Sequence, residues 1–370
     1  MSVAGGWWLV TGERPAATSR QPPATVGDVS EVELIGRIQQ RLPPQPPWLL
    51  VGIGDDAAVV EPERNRAEVL SVDCFVDGIH FDRAFVPPEA VGHRAMAANL
   101  SDLAAMGAAP RLALVSLALP CDLPLADFDA VADGFTALAS RHRMHIAGGN
   151  LTRTTGPLTI DITVVGTVKR RQALTRGGAR CGDELYVTGT IGAAAVGLQQ
   201  LRQHRSSTAA DTEVHRGHGD EESRRPPSNT VSSVANSCVE RYLRPEPRVR
   251  VGTLLARNRA AGACIDTSDG LADAIRQLTN ASGVGASIDV AALPIDRAAR
   301  EWFAARGSDP AVEAMGASDD YELLIAVPPK SRRRLDAVRR HAGVPLTRIG
   351  VCTDDRAITP PLPAGFTHFR

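Results

Sequence analysis

Apolar residues recur along the chain in two rhythms, one of period two and one near 3.6, and the switches between them predict strands and helices mixed throughout. Val32, Leu34, Ile35, Ile38 and Leu42 have helical spacing, and Pro43 and Pro44 end that run. Residues 49–53 and 57–60 read as strands, 61–65 as a turn, and 68–75 as a returning strand with Ser71 and Asp73 on one face. Pro87 and Pro88 open a helix at positions that tolerate proline. Its many small residues (Ala90, Gly92, Ala95, Ala97, Ala98) allow close approach to neighbours, and Gly107 and Pro110 mark its end. A strand over 112–119, a helix over 125–141, and strands over 145–148 and 158–168 complete this half, with Lys169-Arg-Arg171 at the expected boundary.

The second half predicts strands over 185–188, 263–265, 286–290, 322–327 and 347–351, and helices over 193–201, 248–258, 270–282 and 331–342. Residues 1–29 lack a period and read as a disordered leader. Residues 204–236, dominated by His, Ser, Arg, Asp, Glu, Pro and Thr, read as a disordered surface insertion. The expected organisation is therefore an α/β (α+β) chain with an N-terminal domain over 30–170 and a C-terminal domain over 171–370.

Composition narrows the function. A chain of 370 residues accommodates two ordinary domains, and a net charge of -1 gives no bulk attraction to nucleic acid or acidic membranes. The six cysteines are scattered without a Cys-x-x-Cys pair, which favours reduced thiols and a cytoplasmic setting. No apolar run approaches the roughly 20 residues that span a bilayer. The only lysines are Lys169 and Lys330, and there is no Gly-x-x-x-x-Gly-Lys-Ser/Thr loop or Gly-x-Ser-x-Gly elbow. Phosphate charge, if this chain meets any, must be met by metals and arginine.

The carboxylates point that way. Asp55, Asp56, Asp73 and Asp77 fall in strand-like, apolar surroundings. Two buried like charges about 4 Å apart repel by roughly 4 kcal/mol at an effective dielectric near 20, so bound divalent cations would make the cluster tolerable. Asp55 and Asp77 taken singly read equally well as exposed turn residues. Asn99-Leu-Ser-Asp102 combines three polar residues before an apolar run; Ser101 or Asp102 could cap a helix beginning at Leu103, and Asp102 could also ligate metal. Gly148-Gly149-Asn150 after a strand lets backbone amides approach a phosphate. Asp266, Ser268 and Asp269 lie between a strand and a helix start, where a cap or an anion–metal site can form. Ser318-Asp-Asp-Tyr-Glu322 adds acids before another strand. His80 belongs to no metal-ligand spacing.

Gly52-Ile-Gly-Asp-Asp-Ala-Ala-Val59, Asn99 through Pro110, Ala173-Leu-Thr-Arg-Gly-Gly-Ala179, Tyr186-Val-Thr-Gly-Thr190 and Ile265-Asp-Thr-Ser-Asp-Gly-Leu271 occur in an order that resembles the bacterial thiamine-monophosphate kinase family. The resemblance covers roughly residues 31–370 apart from the insertion. It implies the PurM-like architecture of the aminoimidazole ribonucleotide synthetase superfamily: an N-terminal sheet that pairs across a homodimer and a C-terminal α/β domain. It implies ATP and several Mg2+ ions between the domains, with the γ-phosphoryl of ATP passing directly to thiamine monophosphate. By motif it implies metal ligation by Asp56, Ser71, the main chain of Val72, Asp73, Asp102, Asn150, Asp266 and Asp269, with Asp73 and Asp102 the acids on which catalysis depends. It implies ATP contacts at Gly149, Asn150, Arg176 and Ser268, and substrate contacts at His80, Asp319 and Phe366.

Two positions depart from the family's pattern: Asn150 stands where the family has Asp, and Asp319 where it has Glu. Near the C-terminus Gly365-Phe366-Thr-His-Phe369 stands where an aromatic residue commonly packs on the substrate, and Phe366 keeps the aromatic face. Two alternatives stay open. One is another ATP-dependent enzyme of the superfamily, such as selenophosphate synthetase, although no cysteine precedes Cys74. The other is a homologue that binds thiamine phosphates or ATP without transfer, for which Asn150 and Asp319 are the reasons.

Overall fold

A computed structural model describes residues 24–214 and 233–364. The N-terminal half runs α1 (Glu31–Gln39), β1 (Leu49–Val51), β2 (Val59–Val60), β3 (Arg66–Val76), α2 (Pro88–Ala105), β4 (Ala109–Pro120), α3 (Leu125–Arg141), β5 (His145–Thr154) and β6 (Thr159–Lys169). Four of these strands form a sheet in the order β3-β6-β4-β5. β6 is antiparallel to both β3 and β4, and β4 is parallel to β5. Period two is visible in β6, where Ile160, Ile162 and Val164 are buried under the helices.

α2 and α3 cover that inner face at very short range. A Cβ on Gly92 would lie 2.0 Å from the Val131 carbonyl oxygen, and one on Gly134 would lie 2.0 Å from that of Glu89. The small residues of α2 thus serve helix-on-helix contact, and the helix is buried nearly all round. Part of the outer face of the sheet is open among the described residues. Leu70, Val72 and Leu114 stand on it 65%, 56% and 38% exposed.

The C-terminal half runs β7 (Glu184–Thr188), α4 (Ala193–Val214), α5 (Ser233–Leu243), α6 (Val249–Asn258), β8 (Ala263–Asp266), α7 (Leu271–Ser282), β9 (Gly285–Ile288), α8 (Arg297–Ala305), α9 (Pro310–Gly316), β10 (Leu323–Val327), α10 (Arg332–Ala342), β11 (Leu346–Thr353) and β12 (Ile358–Thr359). Its six-stranded sheet has the order β12-β9-β11-β7-β10-β8. β7, β8 and β10 are buried on both faces, and β10 reads as an unbroken apolar run, not an alternating one. Leu323, Ile325 and Val327 of β10 join the core that includes α2, while Leu324 and Ala326 join the core under α7, α8 and α9. α2 also packs on α6 and β8, so one helix belongs to both halves.

Several expectations need correction. The leader is ordered from residue 24: Val26 is buried and its N–H reaches the Leu123 carbonyl at 2.8 Å. Residues 1–23 lie outside the described residues. α4 continues to Val214 and α5 begins at Ser233, so the two ends of the expected insertion 204–236 are helical; residues 215–232 lie outside the described residues. β5 runs six residues past its expected end, to Thr154, because its parallel pairing with β4 continues through Gly149 and Asn150.

Candidate active site

A cleft of about 580 Å³ opens between the halves. From the N-terminal side it is lined by Asp73 of β3, by His80 in the following loop and by Asp102 of α2. From the C-terminal side come Arg176, Asp266 at the end of β8, Ser268 and Asp269 before α7, and Asp319 before β10. These eight expected residues, far apart in sequence, share one cavity.

Strand alternation sets the first acids. Ser71 and Asp73 lie on the helix-facing side of β3, and Ser71 Oγ donates to Asp102 Oδ2. Asp102 does not start a helix at Leu103, because α2 runs unbroken from Pro88 to Ala105. Of the polar residues inside it, Asn99 Nδ2 donates to the Ala95 carbonyl of the same helix at 3.0 Å, and Ser101 Oγ donates to Asp266 Oδ2 of the other half at 2.8 Å.

The electrostatics follow from burial. Loss of solvent pushes the Asp102 carboxyl up, against the Ser71 hydrogen bond and the Arg176 charge. Asp266 is more enclosed and is pushed up to about 7, first by burial and then by Asp102, against the Ser101 hydrogen bond. Asp73 raises it further and Arg176 lowers it. The cleft therefore carries more carboxylates than the two arginines that line it, Arg176 and Arg202, can offset.

After β8 the chain turns through Thr267 to Asp269, and Gly270 at φ 97 feeds α7. Asp319 N–H donates to the Ser268 carbonyl at 2.9 Å, so this turn and the 317–322 turn are tied together. Arg176 Nη1 donates to Gln277 Oε1 of α7 at 2.6 Å. His80 Nδ1 accepts from Val76 N–H at 3.1 Å and its ring stacks on Phe75 with centroids 5.2 Å apart. That fixes the imidazole at the rim of the cleft.

Three expected residues are not brought to this cleft. Asp56, Gly149 and Asn150 line a separate hollow of about 800 Å³, with Leu114, Ser116, Asp161 and Thr163 from the outer face of the sheet. The cause is sheet order. Asp73 pairs with Ile162, Ile162 with Val115 and Val115 with Gly149, so Asp73 and Gly149 occupy opposite edges of the sheet. Three interstrand steps of roughly 4.8 Å place them about 14 Å apart. Within one chain the expected ligands are thus divided between two hollows. Val72 directs its side chain to the outer face, which leaves only its main chain for the cleft. Phe366 lies outside the described residues.

The donors that do meet are carboxylate and hydroxyl oxygens, the hard ligands that Mg2+ takes. Among the described residues no three His, Cys, Asp or Glu side chains close around one point. Mg2+ keeps several waters and is held by one or two carboxylates together with substrate phosphates. Asp73, Asp102, Asp266 and Asp269 fit such a role. Sequence reasoning overlooked Ser101 as a partner of Asp266, and it overlooked Arg94 and Tyr242 altogether. A lone arginine among the small apolar residues of α2 was a readable signal; nothing in the sequence marked Tyr242.

Family models match both halves: "AIR synthase related protein, N-terminal domain" over residues 54–168, and "AIR synthase related protein, C-terminal domain" over residues 180–361. Thiamine-monophosphate kinase of Escherichia coli (strain K12) is 35% identical over 328 residues, covering 88% of this chain and 91% of that protein. Its counterpart in Bacillus subtilis (strain 168) is 33% identical over 281 residues, covering 74% and 80%. The crystal structure of thiamine-monophosphate kinase from Stenotrophomonas maltophilia K279a superposes with a TM-score of 0.75 at 35% identity, over 89% of this chain and 96% of that one. A structure described as AaThiL complexed with AMPPCP and TMP superposes with a TM-score of 0.69 at 27% identity, over 91% and 96%. With 33–35% identity over 74–89% of its length, the chain belongs to the thiamine-monophosphate kinase family.

Proposed function

We propose that this cleft transfers the γ-phosphoryl group of ATP directly to the phosphate of thiamine monophosphate, giving thiamine diphosphate, with Mg2+ as the required cation. The observation that carries this reading is the meeting of Asp102 from one half with Asp266 from the other in one acidic cleft. The attacking phosphate oxygen is ionised at neutral pH, so no strong general base is needed. Catalysis then consists of aligning two anions and offsetting their repulsion. The two substrates bring roughly six negative charges, which Mg2+ offsets when bound.

The chain's own groups divide the work by position. Asp73, Asp102, Asp266 and Asp269 hold the cations, and Ser71 and Ser101 orient two of those carboxylates. Arg176 supplies a planar clamp for the nucleotide phosphates, and Ser268 stands at the mouth of α7, whose N-terminus favours anions. His80 and Asp319 meet the thiamine end.

We further propose a homodimer built on the outer face of the N-terminal sheet. Leu70, Val72 and Leu114 leave an apolar strip open there, as an interface requires. The hollow with Asp56, Gly149 and Asn150 adjoins the same face, so the second copy can deliver those groups to the cleft that lacks them. We assign the enzyme to the cytoplasm, where its six free cysteines stay reduced. Among the described residues no helix is long and apolar enough to cross a membrane.

The test is product formation from ATP, MgCl2 and thiamine monophosphate, read by chromatography of thiamine diphosphate. The proposal expects thiamine diphosphate and ADP in equal amounts, and no ADP release without thiamine monophosphate. ADP release that is indifferent to thiamine monophosphate would overturn it.

A further inference from the structure

Arg94 is the most enclosed cation of the described residues, with 1% of its side chain exposed. It lies on the stripe of α2 that carries Ala98 and Asp102 at four-residue spacing, on the face turned to the cleft. At 1.5 Å per residue Arg94 and Asp102 are about 12 Å apart along the helix. One end of the stripe thus faces the metal–phosphate acids and the other faces the substrate wall.

The guanidinium touches every part of that wall. Nη2 donates to Asp319 Oδ1 at 3.0 Å and approaches the His80 carbonyl at 3.4 Å. Nη1 donates to the Tyr242 carbonyl at 2.5 Å, and the group stacks 3.9 Å above the Tyr242 ring. Its Nε has no hydrogen-bond partner among the described residues. Arg94 therefore joins the His80 loop, α5 and the turn before β10.

That turn is strained. Asp319 has φ 68 and Tyr321 φ 50, a region that side chains other than glycine seldom adopt. Such a backbone persists only when its surroundings over-determine it. The Asp320 carboxylate accepts from Gly192 N–H at 2.6 Å and Ala194 N–H at 3.2 Å, and Glu322 pairs with Arg248 at 2.5 Å. Asp319 itself accepts from Arg94, from Ser318 at 2.9 Å and from the Tyr321 hydroxyl at 3.4 Å, and still lines the cleft. A carboxylate has about four acceptor sites, so about one remains for an N–H donor of a bound substrate.

We infer that Arg94 is the positioning residue for the thiamine end of the site: it fixes the Asp319 carboxylate in the cleft and thereby sets affinity for thiamine monophosphate, not for ATP. This rests on the reading that Asp319 meets the substrate. The single Nη2–Oδ1 bond comes from a guanidinium that the Tyr242 carbonyl and ring already hold, so the Asp319 carboxylate keeps one orientation.

The experiment is steady-state kinetics of Arg94→Lys, Asp319→Ala and the double variant, varying thiamine monophosphate and ATP separately. Arg94→Lys keeps the positive charge but loses the planar group that reaches Asp319 and the Tyr242 carbonyl at once. It is expected to raise KM for thiamine monophosphate about tenfold and to leave KM for ATP within about twofold. In the Asp319→Ala background the same change should add less than about twofold, because its route of action is gone. A parallel rise in both KM values, or full additivity in the double variant, would overturn the inference. If Asp319→Ala leaves KM for thiamine monophosphate unchanged, the reading of Asp319 itself has failed, and the inference with it. Loss of Arg94 sensitivity alone leaves that reading standing.

Discussion

Ser101 Oγ of α2 and Asp266 Oδ2 at the end of β8 are 2.8 Å apart, a fully buried hydrogen bond that joins the two halves at the floor of the cleft. The hydroxyl stabilises the ionised form of an acid that burial and two neighbouring aspartates push up to about 7. Ser101→Ala removes that help without adding bulk. Losing an outer partner of a metal-binding carboxylate costs about 10- to 100-fold in affinity or activity. The expected outcome is a Mg2+ titration of turnover shifted to higher concentration by about tenfold, with little change in melting temperature.

Glu322 gathers a cluster of ties within the C-terminal half. It is fully buried, accepts from Arg248 Nε at 2.6 Å, Arg241 Nη2 at 3.0 Å and Thr188 Oγ1 at 2.6 Å, and follows directly on the strained turn of the site. Gly189, at φ 57, makes room for it: a Cβ there would lie 2.1 Å from Glu322 Oε1. Gly189→Ala meets both a backbone penalty and a displaced buried ion pair, and displacing such a pair costs about 3–5 kcal/mol. Urea denaturation should show a loss of at least about 3 kcal/mol for Gly189→Ala.

The pH dependence of stability has an identifiable contributor outside the site. Glu184 receives Arg332 Nη2 at 2.6 Å, Arg348 Nε at 3.0 Å and the Tyr186 hydroxyl at 3.0 Å. The Arg332 hydrogen bond, first among these, holds its carboxyl down at about 2, against an ordinary value of 4.5. A carboxyl whose folded pKa is depressed stabilises the fold above the unfolded value and loses that contribution as pH falls through the folded one. Its share is complete above 4.5 and disappears toward 2. Glu184→Gln should lie below the wild type in melting temperature near neutrality, and the gap should narrow as the pH is lowered through that window.

The divided location of the acids makes a prediction about assembly. If Asp56 serves the cleft of a second copy, chains carrying Asp56→Asn and chains carrying Asp102→Asn are each inactive alone. Mixed dimers would then contain one intact site. Random exchange should restore about a quarter of wild-type activity. A cleft completed within one chain would give no recovery on mixing.

Much of this was legible in the sequence, and the failures have physical causes. Alternation placed Ser71 and Asp73 on one face of β3, and short motifs at strand ends located Asp266, Ser268 and Asp319. Asn99-Leu-Ser-Asp102 misled in one respect, because polar residues that look like a helix start are tolerated mid-helix when a second domain supplies their partners, as Asp266 does for Ser101. α8 and α9 passed unnoticed, since such short helices draw their stability from packing and not from propensity. Sheet order was the larger gap. No local pattern could reveal that β3 and β5 are opposite edges, and that order alone separates Gly149 from Asp73.

Asp102 stands at the centre of the account, bonded to Ser71, electrostatically coupled to Asp266 and facing the cleft. The decisive measurement is the turnover of purified Asp102→Asn with ATP, Mg2+ and thiamine monophosphate, taken beside its melting temperature. Removing the charge and keeping the shape should lower kcat by at least about 100-fold while the protein stays folded. An Asp102→Asn enzyme with near-normal turnover would contradict the account.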